Sequence, residues 1–248
     1  MADLRNYQNR VSQAGAQTGA MVDEGLRAYM LRIYNIMALG LVITGVAAFL
    51  TFQMAFSDGQ LTAFGQAIYA SPLKWIVMLA PLGLVFFLSF RIQNMSVSAA
   101  QLTFWIYAAL MGLSLSSIFL VFTGQSIVQT FFVTAAAFGA LSLYGYTTKR
   151  DLSAMGSFMV MGLFGLIIAS IVNIFLASSA LQFAISAIGV LVFSGLTAWD
   201  TQKLKEMYFE GDEVAVAGRK AIMGALTLYL DFINLFMFLL QFMGNRNQ

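Results

Sequence analysis

Between Ile92 and Thr148 the chain runs for 57 residues without a charge, and between Leu152 and Trp199 for another 48. Only Lys149, Arg150 and Asp151 separate the two runs. A helix needs about 20 apolar residues to cross the ~30 Å hydrocarbon core of a bilayer. Each run is therefore too long for one crossing and suits two. Thr123-Gly124-Gln125-Ser126 and Ala177-Ser178-Ser179 supply the breaks. The result is four crossings: Ala100 to Phe122, Ile127 to Thr147, Ala154 to Leu176, and a sixth span starting at Ala180.

Three more segments complete the pattern. Tyr29 to about Ala55 precedes a loop with a Ser57-Asp58-Gly59 turn. Leu73 to Phe90 follows that loop, with Pro81 as a kink and Arg91 at its end. Ala221 to Met243 closes the chain. Charged residues make up 10% of the chain, against about 25% in soluble domains. The expected fold is an all-α polytopic membrane protein with seven transmembrane helices and one membrane domain, 29–248. Residues 1–28 are polar and lack a signal-peptide core; they read as a flexible cytoplasmic tail. Small residues at Ala135-Ala136-Ala137, Gly139, Gly162 and Gly165 suggest close helix packing.

Lys and Arg placement gives the orientation. With seven spans, one side holds the tail, Arg32, Arg91, Lys149, Arg150, Lys203, Lys205, Arg219 and Lys220. That makes 11 of the 13 basic residues, with Lys74 and Arg246 on the other side. The split puts the N-terminus inside and the C-terminus outside. Cysteine and histidine are both absent. Disulfides, thiol nucleophiles, His-based triads and imidazole switches are thereby excluded. Nothing in the charge pattern suggests nucleic acid.

Two aspartates remain inside the apolar segments. Asp231 stands mid-span, where an ionised carboxylate costs about 2.5–3.5 kcal/mol on insertion scales. It needs a proton, a partner or a wet cavity. Asp200 ends the uncharged part of the sixth span, but Leu204, Met207 and Tyr208 extend that helix's apolar face towards Phe209. Asp200 then lies nine residues from the inner end of its helix, and Asp231 ten residues from Ala221. At 1.5 Å per residue both lie about 14 Å deep and can face each other. Two touching carboxyls cannot both ionise cheaply, so they share a proton over some pH range. Such a pair suits a proton-operated switch, an oxygen site for a cation such as Ca²⁺, or a hydrolytic dyad. A simpler reading pairs Asp200 with Lys203, three residues on. Asn234 shares the face of Asp231 and suits either a polar path or inter-helix glue. Asn173 reads as glue. Arg91 is either an interfacial anchor or a cation reaching an acid within the bundle.

These residues resemble a known family. Leu228-Tyr-Leu-Asp-Phe-Ile-Asn-Leu-Phe236 resembles the last-helix signature of the Bax inhibitor-1 family, in its bacterial branch. Thr197-Ala-Trp-Asp-Thr-Gln202, Thr148-Lys-Arg-Asp-Leu-Ser153 and Arg91 fall in the order found there. The resemblance covers about Tyr29 to Met243. It implies a central last helix and a pH-sensitive calcium leak through the inner membrane. It also implies a sensor formed by Asp200 and Asp231, and Arg91 latching Asp200 when closed. Ca²⁺ is then cargo or a ligand of the two aspartates, and no cofactor is implied. An acid found within the second span of some members is missing from Met78-Leu-Ala-Pro-Leu-Gly83.

Two rivals stand beside this reading. Intramembrane aspartyl proteases need Gly-x-Gly before the second aspartate, where this chain has Leu228-Tyr229-Leu230, so no enzyme is expected. The other is an interaction protein that binds and moderates a membrane-anchored quality-control protease through its tail.

Overall fold

In the computed structural model, which describes residues 23–247, seven helices are long and apolar enough to cross a membrane. Within the described residues α1 runs over Asp23–Ala55. It is followed by α2 (Leu73–Arg91), α3 (Val97–Leu115), α4 (Gly124–Thr147), α5 (Ser153–Leu176), α6 (Ser179–Glu206) and α7 (Val214–Met243). The tail expected over 1–28 falls mostly outside the described residues; Asp23 to Ala28 belong to α1.

The breaks have local causes. Asp58 and Gly59, with φ of 52° and 76°, turn the short hairpin of β1 (Phe56–Ser57) and β2 (Gln60–Leu61). Two residues at positive φ are what a tight hairpin turn requires. Thr123 and Ser178 cap α4 and α6, their hydroxyls accepting from Ser126 and Leu181 N–H groups. Such caps satisfy amides that a helix start leaves open. Ala177, at φ 48°, ends α5. One break was not expected: α3 stops at Leu115, and a further turn of helix, Ile118–Val121, follows Ser116 and Ser117. Ser116 is fully buried, donates to the Leu113 carbonyl and pairs with the Tyr69 hydroxyl at 2.7 Å.

The last helix is the axis. α7 packs against α1, α3, α4 and α6, while α2 lies chiefly on α3 and α5 chiefly on α6. Leu228, Tyr229, Leu235 and Leu240 of α7 are fully enclosed. Tyr229 donates to Thr44 of α1 at 2.6 Å, and Thr44 in turn donates to the Ala108 carbonyl of α3. One hydroxyl pair thus ties three helices, in a medium with no water to offer instead.

The closest approaches occur at glycines other than those expected. Gly139 and Gly165 have open space where a Cβ would stand, and Gly162 meets only a Val192 methyl. A Cβ at Gly145 would instead fall on the Ala198 carbonyl of α6, and one at Gly156 on the Trp199 ring. Both contacts press on α6 just before Asp200.

Candidate functional site

The inner half of α6 is fixed from several sides. Gly145 lets α4 lie against its backbone at Ala198. A hydroxyl chain then runs from Tyr34 on α1 through Ser142 on α4 to Thr201, whose own hydroxyl donates to the Thr197 carbonyl. Gln202 accepts from the Leu152 N–H and donates to the Arg150 carbonyl, both at 2.8 Å. Its side chain thereby clamps the charged loop between α4 and α5 to α6. Lys205 donates to the Tyr146 carbonyl at 2.9 Å.

Within this frame Asp200 and Asp231 meet. Both residues are buried, 9% and 5% exposed, and their carboxyls lie within reach of each other's charge. The Oδ2 of Asp231 is buried with no hydrogen-bond partner among the described residues. Two carboxylates only accept, so a bond between them requires that one carry a proton. An orphaned acceptor in a dry site is costly. A proton on the pair, or a cation, is what would satisfy it.

Asp200 and Asp231 are neighbours although both helix ends differ from those expected. α6 stops at Glu206 rather than Phe209, and α7 starts at Val214 rather than Ala221. Asp200 is thus six residues from its end and Asp231 seventeen from its start. α7 overshoots because Val214 to Lys220 continue as helix: Gly218 is packed on Val97, and Lys220 holds Asp212 at 2.6 Å and the Met207 carbonyl at 3.2 Å.

The other named residues are distributed differently. Asn234 lies one turn from Asp231, and its amide donates to the Leu230 carbonyl at 2.8 Å, not to a carboxyl. The Arg91–Asp200 contact is not made: Arg91 is exposed at the end of α2, which rests on α3, and joins no ion pair among the described residues. Lys203, three residues on from Asp200, makes no ion pair with it among the described residues and lies 5.0 Å from the centre of the Trp199 ring. Among the described residues no three acidic groups converge. Ca²⁺ takes six to eight oxygens, so two aspartates would need water and carbonyls to complete its shell.

Beyond the pair, the α6–α7 seam is closed. Phe238 of α7 stacks on Phe193 of α6, ring centres 5.6 Å apart, and lies over Gly189, where a Cβ would come within 2.5 Å of the ring. Further along, Gln241 meets Gln182 and Ser186. Phe193, Gly189 and Phe238 carry no charge and gave no sequence signal; helix periodicity from Asp200 and Asp231 would have put them on the seam.

The family described as "Inhibitor of apoptosis-promoting Bax1" matches residues 26–248. The chain belongs to the Bax inhibitor-1 family. An uncharacterised protein of Rickettsia prowazekii is 51% identical over 90% of this chain and 92% of its own length. One from Caulobacter vibrioides is 48% identical over 92% of both. The inner membrane protein YbhL of Escherichia coli K12 is 47% identical over 90% of this chain and 93% of its own. This Bax inhibitor-1 family chain is thus a membrane protein with bacterial relatives along nearly its whole length.

Proposed function

We propose that this protein is a pH-sensitive calcium leak of the bacterial inner membrane, with Asp200 and Asp231 as its sensor and the α6–α7 seam as its path. The observation that carries this reading is the buried, adjacent carboxyl pair, with the Asp231 Oδ2 lacking a hydrogen-bond partner among the described residues. With a shared proton, the two acids hold α6 and α7 together. Loss of that proton leaves two like charges in contact where water is excluded, and they repel strongly. The helices part or a cation enters between the acids. Parting also draws Phe238 off Gly189 and Phe193 and opens the dry stretch above. Asn234 offers its free amide oxygen to a cation on that route. Arg91 would reach Asp200 only in another state of the bundle.

In this reading Ca²⁺ is cargo, no cofactor is resident and no bond is made or broken, so the protein is not an enzyme. The 11-to-2 split of basic residues puts the N-terminus and the acidic pair towards the cytoplasm. The test is Ca²⁺ entry into proteoliposomes across pH 5 to 8. Wild type should show a pH-dependent leak, and Asp200→Asn and Asp231→Asn should each flatten its pH profile. No flux from well-folded wild type would overturn the leak and leave the protease-binding reading, whose test is partner co-purification with and without residues 1–28.

A further inference from the structure

At the end of the bundle far from the acidic pair, a cavity of about 450 Å³ opens between α5, α6 and α7. We infer that it is a binding site for a phosphate-type anion, either the headgroup phosphate of a lipid in the leaflet at that end or free phosphate. The inference stands independently of the leak.

The cavity offers donors and a cation. Asn173 Oδ1 accepts from the Ser178 N–H, and Asn173 Nδ2 donates to Gln182 Oε1, both at 3.1 Å. Gln182 Nε2 donates to Gln241 Oε1 at 2.8 Å, and Ser186 reaches the same oxygen at 3.4 Å. All three amide oxygens are therefore already engaged. Each carboxamide nitrogen carries two hydrogens. One remains on Asn173, one on Gln182 and two on Gln241. Among the described residues no carboxylate lines the space, and Arg246 does.

Arg246 is directed there by the backbone. Thr123 N–H donates to the Asn245 carbonyl at 3.0 Å and Asn247 N–H to the Val121 carbonyl at 2.9 Å, so the last residues pair like a strand with the α3–α4 connection. Side chains alternate along a strand. Asn247 turns to the carbonyls of Phe119, Leu120 and Phe122, which sends Arg246 the other way, into the cavity. Among the described residues it has no acidic partner within ion-pair distance. A guanidinium with converging N–H groups suits phosphate oxygens, and the volume is that of a small-ligand pocket. Ile174, Phe175 and Leu176 stand exposed beside it, where the acyl chains of a bound lipid would lie.

The test uses the full chain in detergent, with dioctanoyl phosphatidylglycerol followed by native mass spectrometry and inorganic phosphate followed by thermal shift. Wild type should retain the lipid. Arg246→Gln should weaken it about tenfold, as loss of a charge-assisted contact implies, and Arg246→Lys should recover part. Gln241→Glu, which places a negative charge in the cavity, should also expel it. If millimolar phosphate displaces the lipid and itself raises the melting temperature, a free anion is the ligand; if only the lipid binds, the headgroup is. Failure of wild type to bind either, or binding that neither Arg246→Gln nor Gln241→Glu weakens, overturns the assignment.

Discussion

α5 and α7 invert what hydropathy alone suggests. α5 is the more apolar, yet 6% of its most apolar stretch is buried in protein against 67% for α7. Lipid is as apolar as any protein core, so no hydrophobic force draws the greasier helix inward. What places α7 at the centre is its polar groups. Asp231 has to meet Asp200, and the Tyr229 hydroxyl has to meet Thr44, because neither has a tolerable alternative in hydrocarbon. α5 has Asn173 near one end, answered by Gln182, and deeper in the helix Ser170, exposed on its surface.

Truncation is the strongest way to break this comparison. Leu228→Ala, at a fully buried position of α7, should cost about 2–5 kcal/mol in detergent unfolding. Phe164→Ala on the lipid face of α5, 63% exposed, should stay within about 0.5 kcal/mol. Equal losses would refute the division into axis and periphery. A second test is functional. Phe238→Ala should raise Ca²⁺ leak severalfold at every pH while keeping a pH dependence, because it removes the closure and not the sensor. Tyr229→Phe should then cost about 1 kcal/mol of stability, the usual net value of one hydrogen bond, and leave the pH profile alone.

The smallest effect belongs to Asp151, in the loop before α5. The Ser153 N–H and hydroxyl hold its carboxyl below the usual carboxylate range. A depressed carboxyl contributes stability above its unfolded-state pKa of about 3.9 and loses it as pH falls through the lower folded value. It is ionised throughout pH 5 to 8, so Asp151→Asn should leave the leak's pH midpoint unmoved. A shifted midpoint would mean that the acidic pair is not the only sensor in that window.

The spans were legible because charge is so scarce: Lys149-Arg150-Asp151, Thr123 and Ala177 mark boundaries that hold to within a few residues. The meeting of Asp200 and Asp231 was legible too, since a mid-membrane carboxyl has so few tolerable partners. The ends of α6 and α7 were not. Arg219 and Lys220 look like a loop in a hydropathy window, while helix continues through them on contacts with Val97, Met207 and Asp212. Nor was the choice of Gly145 over Gly139 as a close contact, because it depends on which residue of another helix stands opposite. Gln202 stood in the Thr197–Gln202 stretch without a readable role for the same reason; its two partners lie about fifty residues away.

That clamp gives the inner face of the molecule a handle. Gln202 sits two residues from Asp200 and grips the loop at both a donor and an acceptor, so α6 cannot twist about its axis there without dragging Arg150 and Leu152 along. Torque applied to this loop, by whatever docks on its three consecutive charges, would be delivered to the carboxyl within half a helical turn. The loop is then less a connector than a crank.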